Sequence, residues 1–259
     1  SVVLCNGRLT LSSGNPVADI SSSSTVYFTP LDGNKISLYD GSAWRTLSFT
    51  ETSVGVPATT STPFDIFGYS NSGTLALETV NWTNDTTRAT ALTTQNGVWV
   101  KSGATTRRYL GTGRTTTSSG TIEDSNSRRF LWNMYNRFPR KLMAYQSAAA
   151  NWSYSTQTYR AANSNTTVGA TRVEFIIGIV TEPMTFITFV PEVGGGNGYA
   201  TIGIGINSST AISSEGYGAY TGINYPSMYG IYRSLPSLGY SYAQWIEYVQ
   251  TGITTNFYT

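Results

Sequence analysis

Histidine is missing from all 259 residues, cysteine occurs once, at Cys5, and lysine only three times, at Lys35, Lys101 and Lys141. Histidine is the one side chain whose ordinary pKa lies near neutrality, and it is the commonest general base and metal ligand. Its absence excludes serine-protease-like triads, zinc sites of the usual kind and histidine phosphotransfer. A single cysteine excludes an intrachain disulfide framework. The thiol is expected to be free in a reducing cytoplasm, with a bond between subunits as the alternative.

Long hydrophobic runs are missing as well. No apolar stretch approaches the roughly 18 residues of a membrane span, and the longest candidate, Val173 to Val180, is interrupted by Glu174 and Gly178. Membrane insertion is therefore not expected, and the opening residues carry no basic stretch followed by an apolar run of the leader type. Charge is scarce too, at 12% of residues with a net of +2. Its placement is uneven: nine of the sixteen basic residues lie between Lys101 and Lys141, while from Val173 onward Arg233 alone stands against five glutamates. A basic middle and a mildly acidic C-terminal part can meet unlike surfaces, or each other in neighbouring copies.

Strand signals are abundant. Short β-branched and aromatic runs alternate with clusters of Gly, Ser, Thr, Asn and Pro. The pattern predicts strands at Arg8 to Leu11, Thr25 to Thr29, Lys35 to Tyr39 and Ala43 to Phe49, the last two closing around Asp40-Gly41, which tolerates positive φ. Further strands are expected at Phe64 to Tyr69, Thr74 to Val80, Gly97 to Lys101 and Thr106 to Gly111, with a loop over Arg114 to Gly120. Arg128 to Lys141 (RRFLWNMYNRFPRK) reads as a strand apolar on both sides, ended by Pro139.

The segment QSAAANW after Met143 marks the expected boundary between an anchoring module, 1–143, and a second module, 144–259. The second has strands at Trp152 to Tyr159, Arg172 to Val180, Met184 to Val190, Tyr199 to Ile206 and Tyr240 to Val249. Gly194 to Gly198 reads as a hairpin tip, and Gly216 to Gly239 as a long irregular loop of the functional or interfacial kind. The chain is thus expected to be all-β, built of β-sandwich modules, the C-terminal one jelly-roll-like.

Candidate sites are few. Gly203-Ile204-Gly205-Ile206 lacks the third glycine and following helix of a phosphate-binding fingerprint, and reads as a glycine-relieved strand. Asp32-Gly33-Asn34 and Asp40-Gly41 lack the alternating ligands of a calcium loop, and turn chemistry explains both. Carboxylates are the remaining acid/base candidates, yet Glu123 and Asp124 are neighbours on a strand and point to opposite faces. No catalytic, metal or cofactor residue is assigned.

The contact residues expected are Arg107, Arg108, Arg128, Arg129, Trp132, Tyr135 and Arg137 in the basic middle, and Tyr225, Tyr229, Tyr232 and Trp245 in the tyrosine-rich C-terminal part. Arginine with aromatics could stack bases and contact phosphates, but the same residues dominate protein interfaces, which is the favoured reading. Tyrosine offers a rigid amphipathic surface that serves a subunit interface or a sugar platform equally well.

Four stretches, WTNDTTRAT (Trp82 to Thr90), GVWVKSGATTRRYLGT (Gly97 to Thr112), RRFLWNMYNRFPR (Arg128 to Arg140) and GYSYAQWIEY (Gly239 to Tyr248), resemble uncharacterised structural proteins of tailed bacteriophages. The resemblance implies a β-rich virion component made in the bacterial cytoplasm, and brings no catalytic motif. The resulting expectation is a non-enzymatic virion protein on the capsid surface, a decoration protein or head-fibre knob. Its expected partners are other virion proteins, the major capsid protein first. A homo-oligomer, a trimer by analogy, is expected. The alternative is a tail module recognising host surface glycans.

Overall fold

Runs rich in Val, Ile, Phe, Tyr and Thr pair as strands almost throughout. The computed structural model describes residues 3–147, 151–222 and 225–259, and among these it has twenty-five strands and one three-residue 3-10 turn, Ala162–Ser164. The chain is all-β, with sandwich-like layers of several sheets. Among the described residues no helix is long and apolar enough to cross a membrane.

Turn chemistry sets the local pairings. Lys35–Tyr39 pairs with Trp44–Ser48 around Asp40-Gly41. There the Asp40 carboxylate accepts the backbone N–H groups of Ser42 (2.8 Å) and Ala43 (2.7 Å) and is paired with Arg45. These donors hold its pKa well below the usual carboxylate range. Ser72-Gly73 joins Pro63–Asn71 to Thr74–Asn84, and Asn96-Gly97 joins Leu92–Gln95 to Val98–Lys101, with positive φ at all four residues. Such turns twist in the sense the flanking strands need.

The N-terminal part holds a three-stranded sheet (Gly7–Thr10, Thr25–Pro30, Thr52–Gly55) and a seven-stranded sheet centred on Ala104–Arg114 and Pro63–Asn71. Leu9, Val26, Phe28, Ile36, Phe64, Ile66, Leu110 and Phe130 form one buried cluster there. The ten-stranded sheet belongs to both parts of the chain. From one edge it runs Met184–Val190, Met228–Ser234, Glu215–Thr221, Gly198–Ile206, Gly239–Val249 and Arg172–Ile177. It continues through Arg128–Arg129, Ile122–Asp124 and Ile20–Ser23, while Arg160–Ala161 pairs with Gly239–Val249. Arg128–Arg129 pairs in parallel with Arg172–Ile177, so hydrogen bonding crosses residue 143 although each side keeps its own buried clusters.

The far end of this sheet doubles back on itself. Met184, Phe186 and Tyr232 pack on Val173, Phe175, Ile177, Ile204 and Ala243. At the crossing a Cβ on Gly230 would lie 2.9 Å from the Cα of Gly203. Only glycine lets the two layers approach that closely. The outer side of Gly203 is covered by Ile212, so the GIGI run is a strand relieved of side chains, as its sequence suggests. A further small sheet, Trp152–Tyr154, Thr255–Tyr258 and Glu192–Gly195, is packed with Val190, Val193, Ile202, Met228 and Phe257.

Three expectations are corrected. Arg128 to Lys141 is not one strand: Arg128–Arg129 and Leu131–Asn133 are short, and Asn136 turns the chain at φ 51°. The Asn136 side chain donates to the carbonyls of Cys5 and Gly7, which competes with continued pairing. Gly194 and Gly195 are not a hairpin tip but belong to Glu192–Gly195, paired with Thr255–Tyr258. Gly216 to Gly239 is not an irregular loop; Glu215–Thr221 and Met228–Ser234 supply two strands whose partners are distant in sequence. Glycine lowers local β propensity, and the tertiary ladder overrides it.

Buried ion pairs fasten these layers. Asp65 lies in the seven-stranded sheet, receives Arg88 at 2.7 Å and Thr112 Oγ1 at 2.7 Å, and is 2% exposed. Arg88 also donates to the Gly178 carbonyl at 2.5 Å, joining this sheet to the C-terminal part. Glu247 is fully buried and is held by Arg160 (2.6 Å), the Trp152 indole N–H (2.6 Å) and the Asn163 N–H. Burial raises the pKa of both carboxylates, and their donors oppose it only in part.

Arg88→Ala, which strands a buried carboxylate, is expected to cost about 3–5 kcal/mol in denaturant unfolding. A raised folded pKa means that the proton is held more tightly in the native state. The stability contribution of Glu247 is thus complete below the ordinary glutamate range and declines as pH rises through the raised value. The melting temperature of wild type minus that of Glu247→Gln is therefore expected to fall as pH rises above the ordinary glutamate range.

Candidate functional site

The contact residues read from the basic middle are engaged within the chain, Arg108 buried, Arg137 exposed and the other five half-buried. Arg107 pairs with Glu78 at 3.0 Å and lies 3.9 Å over the Tyr69 ring. Arg108 is 2% exposed and donates to the carbonyls of Leu4 (2.6 Å) and Ser37 (2.7 Å), with its guanidinium over the Tyr135 ring at 4.5 Å. Tyr135 takes a further bond from Arg108 through its hydroxyl, and burial raises its pKa. Arg128 is shared between Glu123 and Glu174 at 3.0 and 2.8 Å. Arg129 binds Asp19 and the Lys141 carbonyl.

Trp132 is stacked against Tyr109, with Arg137 on its ring at 5.2 Å, and Arg137 pairs with Glu182. A guanidinium already held by carbonyls, carboxylates and ring faces has little left for an outside partner.

Arg129, Trp132 and Arg137 nonetheless meet along one cleft of about 380 Å³, together with Arg8, Asp124 and Arg140. Arg140 binds Asp124 at 2.7 Å, whereas its neighbour Glu123 turns to Arg128. The two carboxylates diverge as alternation on a strand requires. Burial raises the Asp124 pKa, and it lowers that of Arg8 to about 10 with help from Arg140. Cys5 lies against Arg108, and burial pushes its thiol up to about 11, so it remains protonated at neutral pH.

The C-terminal contact residues divide. Trp245 is half-buried, edge-on to Trp152 at 5.4 Å, and Tyr232 packs on Phe186. Tyr225 is 52% exposed and Tyr229 47% exposed. Tyr229 stands on Met228–Ser234 directly across from Phe189, and Ile231 across from Ile187. These four side chains share the outer face of the sheet edge, with Ile187 68% and Phe189 58% exposed. No charged residue occurs in Met184–Val190 (MTFITFV).

The sequence reading missed Ile187 and Phe189. Their signal was present, since MTFITFV is apolar on both faces while a strand at a surface alternates with polar residues. A large exposed apolar patch is the mark of an interaction surface, because water disfavours it and the free chain gains nothing from it.

Ile187→Ser is expected to change stability by no more than about 0.5 kcal/mol, since its side chain is already in water. Arg108→Ala is expected to cost about 2–3 kcal/mol by leaving two carbonyls and a phenol unpaired. Urea titration distinguishes the two.

Neither protein-family comparison nor a search of curated proteins finds a match. Among solved structures, a tryptic core variant of Cry1Da from Bacillus thuringiensis aligns with 99% of this chain at 8% identity and a TM-score of 0.20. The chain spans about half (52%) of that protein's length. A TM-score this low establishes no shared fold.

Proposed function

We propose that this chain is a non-enzymatic structural protein of a tailed-phage virion, a capsid decoration protein or head-fibre knob that works by contact with the major capsid protein and with its own copies. The observation that carries the reading is the apolar patch formed by Ile187, Phe189, Tyr229 and Ile231, exposed on the edge strands of a sheet with Arg233 at its rim. A particle component must be folded before assembly and then bury apolar surface against neighbours, and this patch offers such surface with its one arginine at the rim. The arginines support the same reading from inside, because their pairs stiffen the layers that present the face.

Imaging of intact particles with the labelled protein, followed by a count of copies per particle for Ile187→Ser/Phe189→Ser, tests the proposal. The expected result is label on the head and at least a roughly tenfold drop in incorporated copies of the folded variant. Label on the tail with normal incorporation would overturn it.

Tail binding of host glycans is the second reading, favoured by one observation. Tyr159, Tyr248 and Tyr199 form a partly exposed cluster, with ring centroids 4.9 and 6.3 Å from Tyr248. Sugar rings stack on such surfaces. Glycan-array binding that is lost in Tyr199→Ala, with the fold intact, would favour it over decoration.

A further inference from the structure

The strand Met184–Val190 pairs on one side only, with Met228–Ser234, and among the described residues no other strand bonds to it. Beside its open edge lies a groove of about 470 Å³. Four consecutive residues, Phe186 to Phe189, line this groove. Side chains of a strand alternate between faces, so consecutive lining residues mean that the strand meets the groove along its backbone edge.

The segment 142–146, which has no regular pairing, lines it as well. Two of its N–H groups are used elsewhere, since Met143 donates to the Asn126 carbonyl and Tyr145 to that of Gly169. The floor is Val173, Ile204, Ala243 and Trp245 from the lower layer. Not one lining residue is charged.

We infer that this groove receives an extended, uncharged peptide strand from a partner protein, which continues the sheet beyond Met184–Val190 by β-strand addition. Three observations converge on that occupant. The open edge offers a row of backbone donors and acceptors, which a strand satisfies and a compact apolar ligand does not. Natural edges are usually blunted by lysine, proline or a bulge. MTFITFV has none of these between its flanking prolines, Pro183 and Pro191, and its register with Met228–Ser234 is regular over all seven residues.

The apolar floor and the absence of charge select a strand with apolar residues on one face. The groove lies at the backbone edge, not on the outer face of the sheet, and the inference does not depend on the virion reading.

The probe is a short peptide of alternating valine and threonine with a flanking lysine at each end for solubility. Its control is the same peptide N-methylated at alternate residues, which removes ladder donors but keeps the apolar face. Amide hydrogen exchange of the full chain is read by mass spectrometry with each peptide. The expected result is at least roughly tenfold protection of amides within 184–190 by the unmodified peptide, none by the N-methylated one, and weakened protection in Ile187→Lys.

Equal effects of the two peptides, protection elsewhere, or none at about 1 mM peptide would overturn the inference. Protection of the same amides that grows with protein concentration, with no peptide present, would assign the groove to a second copy and overturn the partner-strand assignment. Since the readout uses no particle, its failure leaves the capsid test standing, and the reverse also holds.

Discussion

The ten-stranded sheet passes from one part of the chain to the other through Arg128, whose guanidinium is shared between Glu123 and Glu174. The backbone ladder at this crossing is only two residues long and parallel, a pairing slightly weaker per residue than the antiparallel kind. Side chains supply the rest. Glu174 also accepts the Tyr240 hydroxyl, Tyr240 lies under the Arg114 guanidinium at 3.9 Å, and Arg114 pairs with Asp85. The Asp85 carbonyl in turn accepts the Tyr240 N–H, and Gly239 sits so close to that carbonyl that a Cβ there would be 2.0 Å away. Each link requires the next to be in register.

Burying guanidinium groups has a consequence for the surface. An ion taken out of water costs several kcal/mol unless its donors are met, so a chain with thirteen arginines and few lysines must give those arginines internal acceptors or leave them outside. Here Arg88, Arg108, Arg114 and Arg160 are met by carboxylates or carbonyls and by ring faces, and Arg129 by carboxylates and a carbonyl. Beside the charged cleft at Arg129, Arg137 and Arg140, three surfaces with little charge remain for contact: the outer face of the sheet edge, the tyrosine cluster around Tyr248 and the groove beside Met184–Val190. Recognition at such surfaces depends on shape, apolar area and backbone hydrogen bonding.

Strands with strong local signals were legible in advance. Met184 to Val190 and Lys35 to Tyr39 have the bounds that their composition suggests, and Asp40-Gly41 forms its turn because aspartate bonds its own backbone and glycine accepts positive φ. Glu215–Thr221 and Met228–Ser234 were not legible, since the glycines there weaken the strand signal of the tyrosines, and most of their ladder comes from residues outside the segment. The site was half legible. Tyr225 and Tyr229 lie at the surface as aromatic contact residues should, whereas Arg108 and Trp132 carry the same composition signal and are spent inside.

By itself the sequence determined what chemistry is out of reach: histidine-dependent catalysis and intrachain disulfides fall to composition alone, because no fold can supply a missing functional group. It also determined the β class, since strand propensity, turn residues and alternation are local properties. Only the tertiary structure decided which arginines are framework and which apolar residues are surface. Burial depends on what packs against a residue from elsewhere in the chain, and identical local runs can face a core or water. Ile187 and Phe189 are exposed because no layer among the described residues covers the outer face of their strand, and Arg108 is hidden because Leu4, Ser37 and Tyr135 close over it.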